Sequence, residues 1–217
     1  MRNKKAVCLI SGGLDSAVAT AIAIEHGYKP IFLFLRYGQK TLKKEEWCLD
    51  KLAGYWGTKE IFKVDLPWIK KFGGSALLDE KISLDEKNFR LEYVPFRNSI
   101  FLAIATALAE VQNADIIVVG STGGDHICPD NSPQFLKDFQ RVIGQGTLLK
   151  RDIKIFHPLT ATDKVGGIKK GIKLGVPFHL TWSCHNQIKA ACGHCSNCKA
   201  RLAAFEANNL TDPIKYV

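Results

Sequence analysis

Continuous apolar runs alternate along this chain with mixed or alanine-rich stretches. Ala6-Val7-Cys8-Leu9-Ile10 and Pro30-Ile31-Phe32-Leu33-Phe34-Leu35 have no polar interruption, as expected of parallel strands buried on both faces. Residues 60–64 and 115–120 predict two further strands, and 153–158 is a candidate fifth. Residues 17–24, 43–56, 98–112, 164–174 and 196–208 read as helices, the second ending near Gly57. The alanine-rich stretch at 98–112 is apolar nearly all round, which predicts burial. Residues 67–92 show no period and are expected to be an irregular excursion.

Strands separated by helices predict an α/β fold with a doubly wound parallel sheet and right-handed crossovers. Ligands of such sheets bind at the carboxyl ends of the strands, at the switch point. Three loops should therefore line one crevice: Gly12 and Gly13 after the first strand, residues 36–39 after the second, and 120–125 after the fourth.

The first of these loops carries the most chemistry. In Ser11-Gly12-Gly13-Leu14-Asp15-Ser16, a glycine pair lets the backbone pass close to a ligand. The helix that follows offers unpaired N–H groups and the positive end of its dipole to an anion. Ser11 and Ser16 add hydroxyls, and Asp15 can hold a cation. These parts suit a triphosphate or pyrophosphate with magnesium. The common nucleotide loop places a lysine after its last glycine, and no lysine occurs here until Lys29. The dinucleotide fingerprint is excluded by its missing third glycine. The stretch resembles the loop of ATP-pyrophosphatases, which cut ATP between its α- and β-phosphates.

The 217 residues suit a single domain spanning 1–217, and the hydrophobic share of 46% is that of a globular core. A formal charge of +9 points to an anionic partner. No apolar run approaches a membrane span. The basic start leads directly into the first strand, which does not fit a signal peptide and predicts a cytoplasmic protein.

Of seven cysteines, Cys184, Cys192, Cys195 and Cys198 crowd one region. Without an export signal this favours metal over disulfides. Four thiolates suit a closed, structural zinc site. Thiolate spacing does not fix the metal, so an iron–sulfur cluster stays open, as does replacement of a ligand by His185 or His194. Cys8 and Cys48 read as core.

Together these words resemble the 7-cyano-7-deazaguanine synthase family (QueC), a branch of the ATP-pyrophosphatases, over nearly the whole chain. Ser11–Ser16 is similar to its ATP loop and Tyr37-Gly38-Gln39 to its second motif. Val94-Pro95-Phe96-Arg97-Asn98 resembles its Val-Pro-Gly-Arg-Asn. Thr181-Trp182-Ser183-Cys184 followed by Cys-Gly-x-Cys-x-x-Cys is similar to its zinc region. The resemblance implies an adenine-nucleotide alpha-hydrolase-like (HUP) fold with a small zinc knuckle at about residues 181–208. It implies ATP binding by Ile10, Ser11, Gly12, Gly13, Leu14, Asp15, Ser16 and Gln39, with magnesium at Asp15. It places Arg97, Asn98, Asp125 and Asp130 on the substrate, and Asp15, Arg97 and Lys164 in catalysis. Zinc falls to the four cysteines. The implied reaction adenylates 7-carboxy-7-deazaguanine, forms an amide with ammonia, and dehydrates the amide to the nitrile with a second ATP. A homodimer is also implied.

The acceptor end departs from the family. Phe96 replaces the usual glycine, His185 a tyrosine, and Gly166 a glutamate, while the loop from Asp125 keeps Pro129-Asp130 but lacks the family's tyrosine and arginine. Phe96 is a candidate to stack on the flat base. A paralogue that couples the same acid to another amine, such as a protein terminus, therefore stays open. So does a tRNA-modifying adenylating enzyme, although no RNA-binding extension is visible.

Overall fold

The computed structural model describes residues 4–85, 87–123, 128–148 and 152–217. A five-stranded sheet has the order β3-β2-β1-β4-β5, with β1 Lys5–Leu9, β2 Lys29–Arg36, β3 Ile61–Asp65, β4 Ile116–Val118 and β5 Lys154–Phe156. All its pairings are parallel; Val7 sits opposite Ile31 on one side and Ile117 on the other. The chain steps from β1 to β2 in one direction and resumes at β4 on β1's other edge. The carboxyl end of β1 is therefore the switch point, where loops diverge and leave a crevice.

The apolar runs divide between the two faces, as strand alternation requires. Val7, Ile31, Leu33 and Ile117 point to one face. They pack there against α4 (Arg97–Val111) and α5 (Pro133–Gly146), through Leu102, Ala105 and Leu136. Ala6, Cys8, Phe32 and Phe34 point to the other. That face is covered by α1 (Leu14–Glu25), α2 (Leu42–Trp56), α6 (Lys164–Lys173) and α7 (Ser196–Glu206). The sheet is thus wound on both sides.

Several elements differ from the pattern reading. The excursion at 67–92 contains a short helix, α3 (Pro67–Phe72), begun by Pro67 at its first turn, and a 3-10 turn at Phe89–Glu92. Helix α5 went unread although its signals are present. Ser132 Oγ accepts from Phe135 N at 3.2 Å, Pro133 opens the helix, and Leu136 and Ile143 face the core. Helix α4 is less enclosed than its composition suggested, with Val111 74% exposed. The apolar stretch Phe89–Val111 has a mean hydropathy of 1.3. Its helix α4 has 15 residues, about 22 Å long against a hydrocarbon core of roughly 30 Å, and it packs on β1 and β4.

Candidate active site and metal centre

A cavity of about 540 Å³ opens at the switch point. Gly13, Asp15 and Ser16 from the first loop line it with Tyr37, Gln39, Gly120 and Ser121 from the second and fourth strand ends. The three expected loops meet there.

Gly12 holds a left-handed φ of +73°, and a Cβ on it would stand 2.6 Å from the Glu45 carbonyl oxygen. The turn therefore needs glycine. Gly120 is packed as closely on α1, where a Cβ would meet Ser16 N at 2.7 Å. Ser16 Oγ donates to Gly13 O at 3.0 Å, and Gly13 N donates to Ser11 Oγ at 3.2 Å. The loop is folded on itself before any ligand arrives. No side chain caps α1 at Gly13, so the positive helix end is left for an anion in the cavity.

Lys164 reaches across from α6, its Nζ 3.0 Å from Asp15 Oδ2. Asp15 Oδ1 is buried and has no hydrogen-bond partner among the described residues. An orphaned carboxylate oxygen beside a phosphate-sized cradle fits a cation, since a buried acceptor left unsatisfied is costly.

At the other wall Arg97 opens α4. Its guanidinium lies 5.5 Å from the ring centroids of both Tyr37 and Phe101. Nη1 donates to Tyr37 Oη at 3.3 Å and Nη2 to Asn98 Oδ1 at 3.1 Å. Burial pushes the Tyr37 hydroxyl above its usual value, and the Arg97 charge opposes this in part.

One expected contact residue, Asp130, sits behind the cavity wall, and another, Gln39, lines it with its amide already engaged. Asp130 is 3% exposed; it accepts from Asn98 Nδ2 at 3.2 Å and from Ser99 N at 3.1 Å. Its carboxylate caps α4 and holds Asn98, which in turn holds Arg97. Gln39 lines the cavity, but its amide is engaged by Tyr37 N, Leu35 O and Glu45 Oε2. It shapes the second loop. Phe96 points away from the cavity. It is 59% exposed and packs edge-on against Phe135 at 6.5 Å. Ile10, Ser11, Leu14 and Asn98 line the cavity with the residues above, whereas Asp125 lies outside the described residues.

Glu92 is a cavity residue that the pattern reading missed. Its carboxylate accepts from Ser196 Oγ and from Asn197 Nδ2 (3.2 Å), and His185 Nδ1 is 3.4 Å away. Burial raises its carboxyl, but the bonds from His185 and Ser196 outweigh burial and hold it below the ordinary value. No local period marks such a residue, because its partners are more than a hundred positions downstream for Ser196 and Asn197.

At this wall, with Cys184 in the cavity lining, Cys184, Cys192, Cys195 and Cys198 are buried, their sulfurs all within 4.8 Å of one another. Cys192 Sγ and Cys198 Sγ are 3.9 Å apart. Backbone N–H groups of Asn186, Gln187 and Cys192 point at Cys184 Sγ at 3.3–3.4 Å, and Cys195 N at Cys192 Sγ at 3.4 Å. Hydrogen bonds from the Cys195 and Cys198 thiols, with these amides, hold Cys184 well below an ordinary thiol. This gathering of thiols and amides can hold a metal ion. The knuckle also braces the first loop: Trp182 N donates to Gly12 O at 2.9 Å. Arg201, fully buried on α7, ties Thr181 and Ser183 to Asp212.

A parallel sheet with a glycine turn feeding an uncapped helix, and no Walker lysine, defines an adenine-nucleotide-binding enzyme of the ATP-pyrophosphatase-loop class. Within that class, the family model described as queuosine biosynthesis protein QueC matches residues 5–209, and the chain belongs to this family. It is 41% identical over 218 residues to a 7-cyano-7-deazaguanine synthase of Sulfurovum sp. (strain NBC37-1), covering 98% of each chain. It is 40% identical over 219 residues to the synthase of Methanoculleus marisnigri (strain ATCC 35101 / DSM 1498 / JR1), covering 98% of this chain and 99% of that one. Among solved structures, an NMN synthetase from Francisella tularensis shares the fold at TM-score 0.53 and 16% identity, over 96% of this chain and 79% of that one. A 4-thiouridine synthetase in complex with RNA and ATP does so at 0.55 and 18%, over 98% of this chain and 47% of that one.

Proposed function

We propose that the chain is an ATP-dependent carbon–nitrogen ligase that converts 7-carboxy-7-deazaguanine and ammonia to 7-cyano-7-deazaguanine. The observation that carries this reading is the meeting, in one cavity, of the uncapped α1 end, the Asp15–Lys164 pair and the Arg97 guanidinium. Full-length relatives of that name support the substrate assignment.

In this reading the α1 amides and Ser11 and Ser16 hold the β- and γ-phosphates. Asp15 would hold magnesium, which supplies charge neutralisation on the phosphates when bound. Lys164 orients Asp15 and adds positive charge beside the α-phosphate. Arg97, fixed by Tyr37, Phe101 and Asn98, grips the substrate carboxylate with paired N–H donors and aims its oxygen at phosphorus. Positioning and charge neutralisation dominate such chemistry. A carboxylate oxygen forms the new bond to the α-phosphorus, and pyrophosphate leaves. Ammonia then displaces AMP, and the amide oxygen is activated by a second ATP.

The metal of the cysteine cluster is assigned as zinc. Four thiolates at about 2.3 Å from tetrahedral zinc stand about 3.8 Å apart, close to the 3.9 Å between Cys192 and Cys198. An iron–sulfur cubane would spread them wider. The site is structural, closed by four protein ligands.

The test is acid-dependent exchange of pyrophosphate into ATP. Wild type should show exchange with 7-carboxy-7-deazaguanine. Arg97→Ala should lose at least about a hundredfold, the loss typical of one preorganised electrostatic contact, with ATP binding nearly unchanged. Equal loss of ATP binding would remove Arg97 from the acid site.

A further inference from the structure

The reaction needs a nitrogen source, and the carboxylates of the cavity are unequal in their readiness for it. Asp15 is paired with Lys164. Glu45 accepts from Thr41 Oγ1 at 2.6 Å and from Gln39 Nε2 at 2.9 Å, as part of the second loop. Glu92 has no lysine or arginine partner among the described residues; its ion-pair neighbour is His185. We propose that Glu92, framed by Ser196 and Asn197, is the receiving site for ammonium, a reading that rests on the ATP-dependent amidation above.

Three observations converge on this. First, capacity: a carboxylate has about four acceptor positions. Ser196 takes one on Oε1, while Asn197 and His185 occupy Oε2. One position on Oε1 remains, which suits a small cation. The purine edge, with neighbouring ring N–H and amino donors, needs two.

Second, location: Glu92 lines the same cavity as Asp15 and Lys164, where the acyl phosphate forms. Third, rigidity: Ser196 and Asn197 open α7 in the metal knuckle, so both donors are held by a fixed backbone. Oriented donors fix where the remaining lone pair points. A largely enclosed carboxylate so placed, its side chain 11% exposed, concentrates ammonium beside the acyl carbon; the ammonium gives one proton to Glu92, and the ammonia left attacks the acyl carbon as AMP departs.

The test separates half-reactions in Glu92→Gln, a near-isosteric change, with melting temperature as the check on folding. Removing a hydrogen bond to a charged group should raise KM for ammonium by about tenfold or more. Pyrophosphate exchange with 7-carboxy-7-deazaguanine should stay within about twofold of wild type, because the acid does not touch Glu92. Hydroxylamine, neutral at the assay pH, should form the hydroxamate at a rate little changed, since it needs no anionic receiver. Asn197→Ala should raise KM for ammonium more modestly, by about threefold, as one orienting bond is lost. An unchanged ammonium KM in Glu92→Gln overturns the proposal. So does a raised KM for the acid in the exchange assay, which would put Glu92 on the purine edge. Absence of acid-dependent exchange in the wild type would instead defeat the amidation reading itself. Should Glu92→Gln melt far below wild type, Glu92→Asp is read by the same assays. It keeps the charge and withdraws it by one methylene, and a raised ammonium KM with intact exchange is again expected.

Discussion

Asp15 works through two oxygens in different states. Oδ2 is tied to Lys164, while Oδ1 is buried without a partner among the described residues. Asp15→Asn keeps the shape but removes the charge that both Lys164 and a cation require. Steady-state turnover should fall at least about a hundredfold, as for loss of one preorganised charge contact, with little change in melting temperature. A loss below tenfold would take Asp15 out of the phosphate machinery. Asp15 was legible from its place after a glycine pair. Asp130 was named as a substrate contact but its bonds to α4 were not foreseen, and Glu92 was missed. Both are carboxylates without local period, and only long-range packing decides that one is buried as a cap on α4 while the other faces the cavity.

At the scale of elements, α4 begins with an unusual joint. Phe96 has φ 55° and ψ 21°, the left-handed region where a side chain costs roughly 1–2 kcal/mol. Phe96 recovers part of the cost by packing on Phe135. Phe96→Gly is expected to leave stability within about 1 kcal/mol of wild type, relief of strain offsetting the lost contact. Phe96→Val, β-branched in the same conformation, should be clearly less stable than either. Chemical denaturation of the three proteins checks the order, and a Val variant as stable as Gly would contradict it. The central strands β1, β2 and β4 were readable because their buried inner runs carry no polar residue. Helix α5 had readable signals in Ser132, Pro133 and its apolar spacing. The short helix α3 did not, since six residues leave no period to detect.

For the whole molecule, the cysteine knuckle and the Ser11–Ser16 loop are joined. The thiol cluster sets Thr181–Cys184, and Trp182 N within that strap holds Gly12 O. Burial also pushes Cys8 and Cys48 up to about 12, so neither offers a thiolate at neutral pH. In the metal-bound native protein a thiol-specific reagent should therefore modify Cys128, which is half-buried, ahead of the other six cysteines. Chelation should expose the four cluster thiols, lower the melting temperature and weaken ATP binding together. Retained ATP affinity after full metal loss would show that the strap does not depend on the metal. Spacing alone made the cysteine quartet legible. The brace between knuckle and loop was not, because it joins residues 12 and 182, far apart in the sequence.

The most direct measurement of the central claim is the identity of the products. Protein, ATP, 7-carboxy-7-deazaguanine and an ammonium salt are incubated, and nucleotides and deazapurines are weighed by mass spectrometry. The expected outcome is AMP and pyrophosphate as the nucleotide products, with 7-cyano-7-deazaguanine accumulating at two AMP per nitrile. ADP as the nucleotide product, or AMP formation indifferent to the acid, would contradict it.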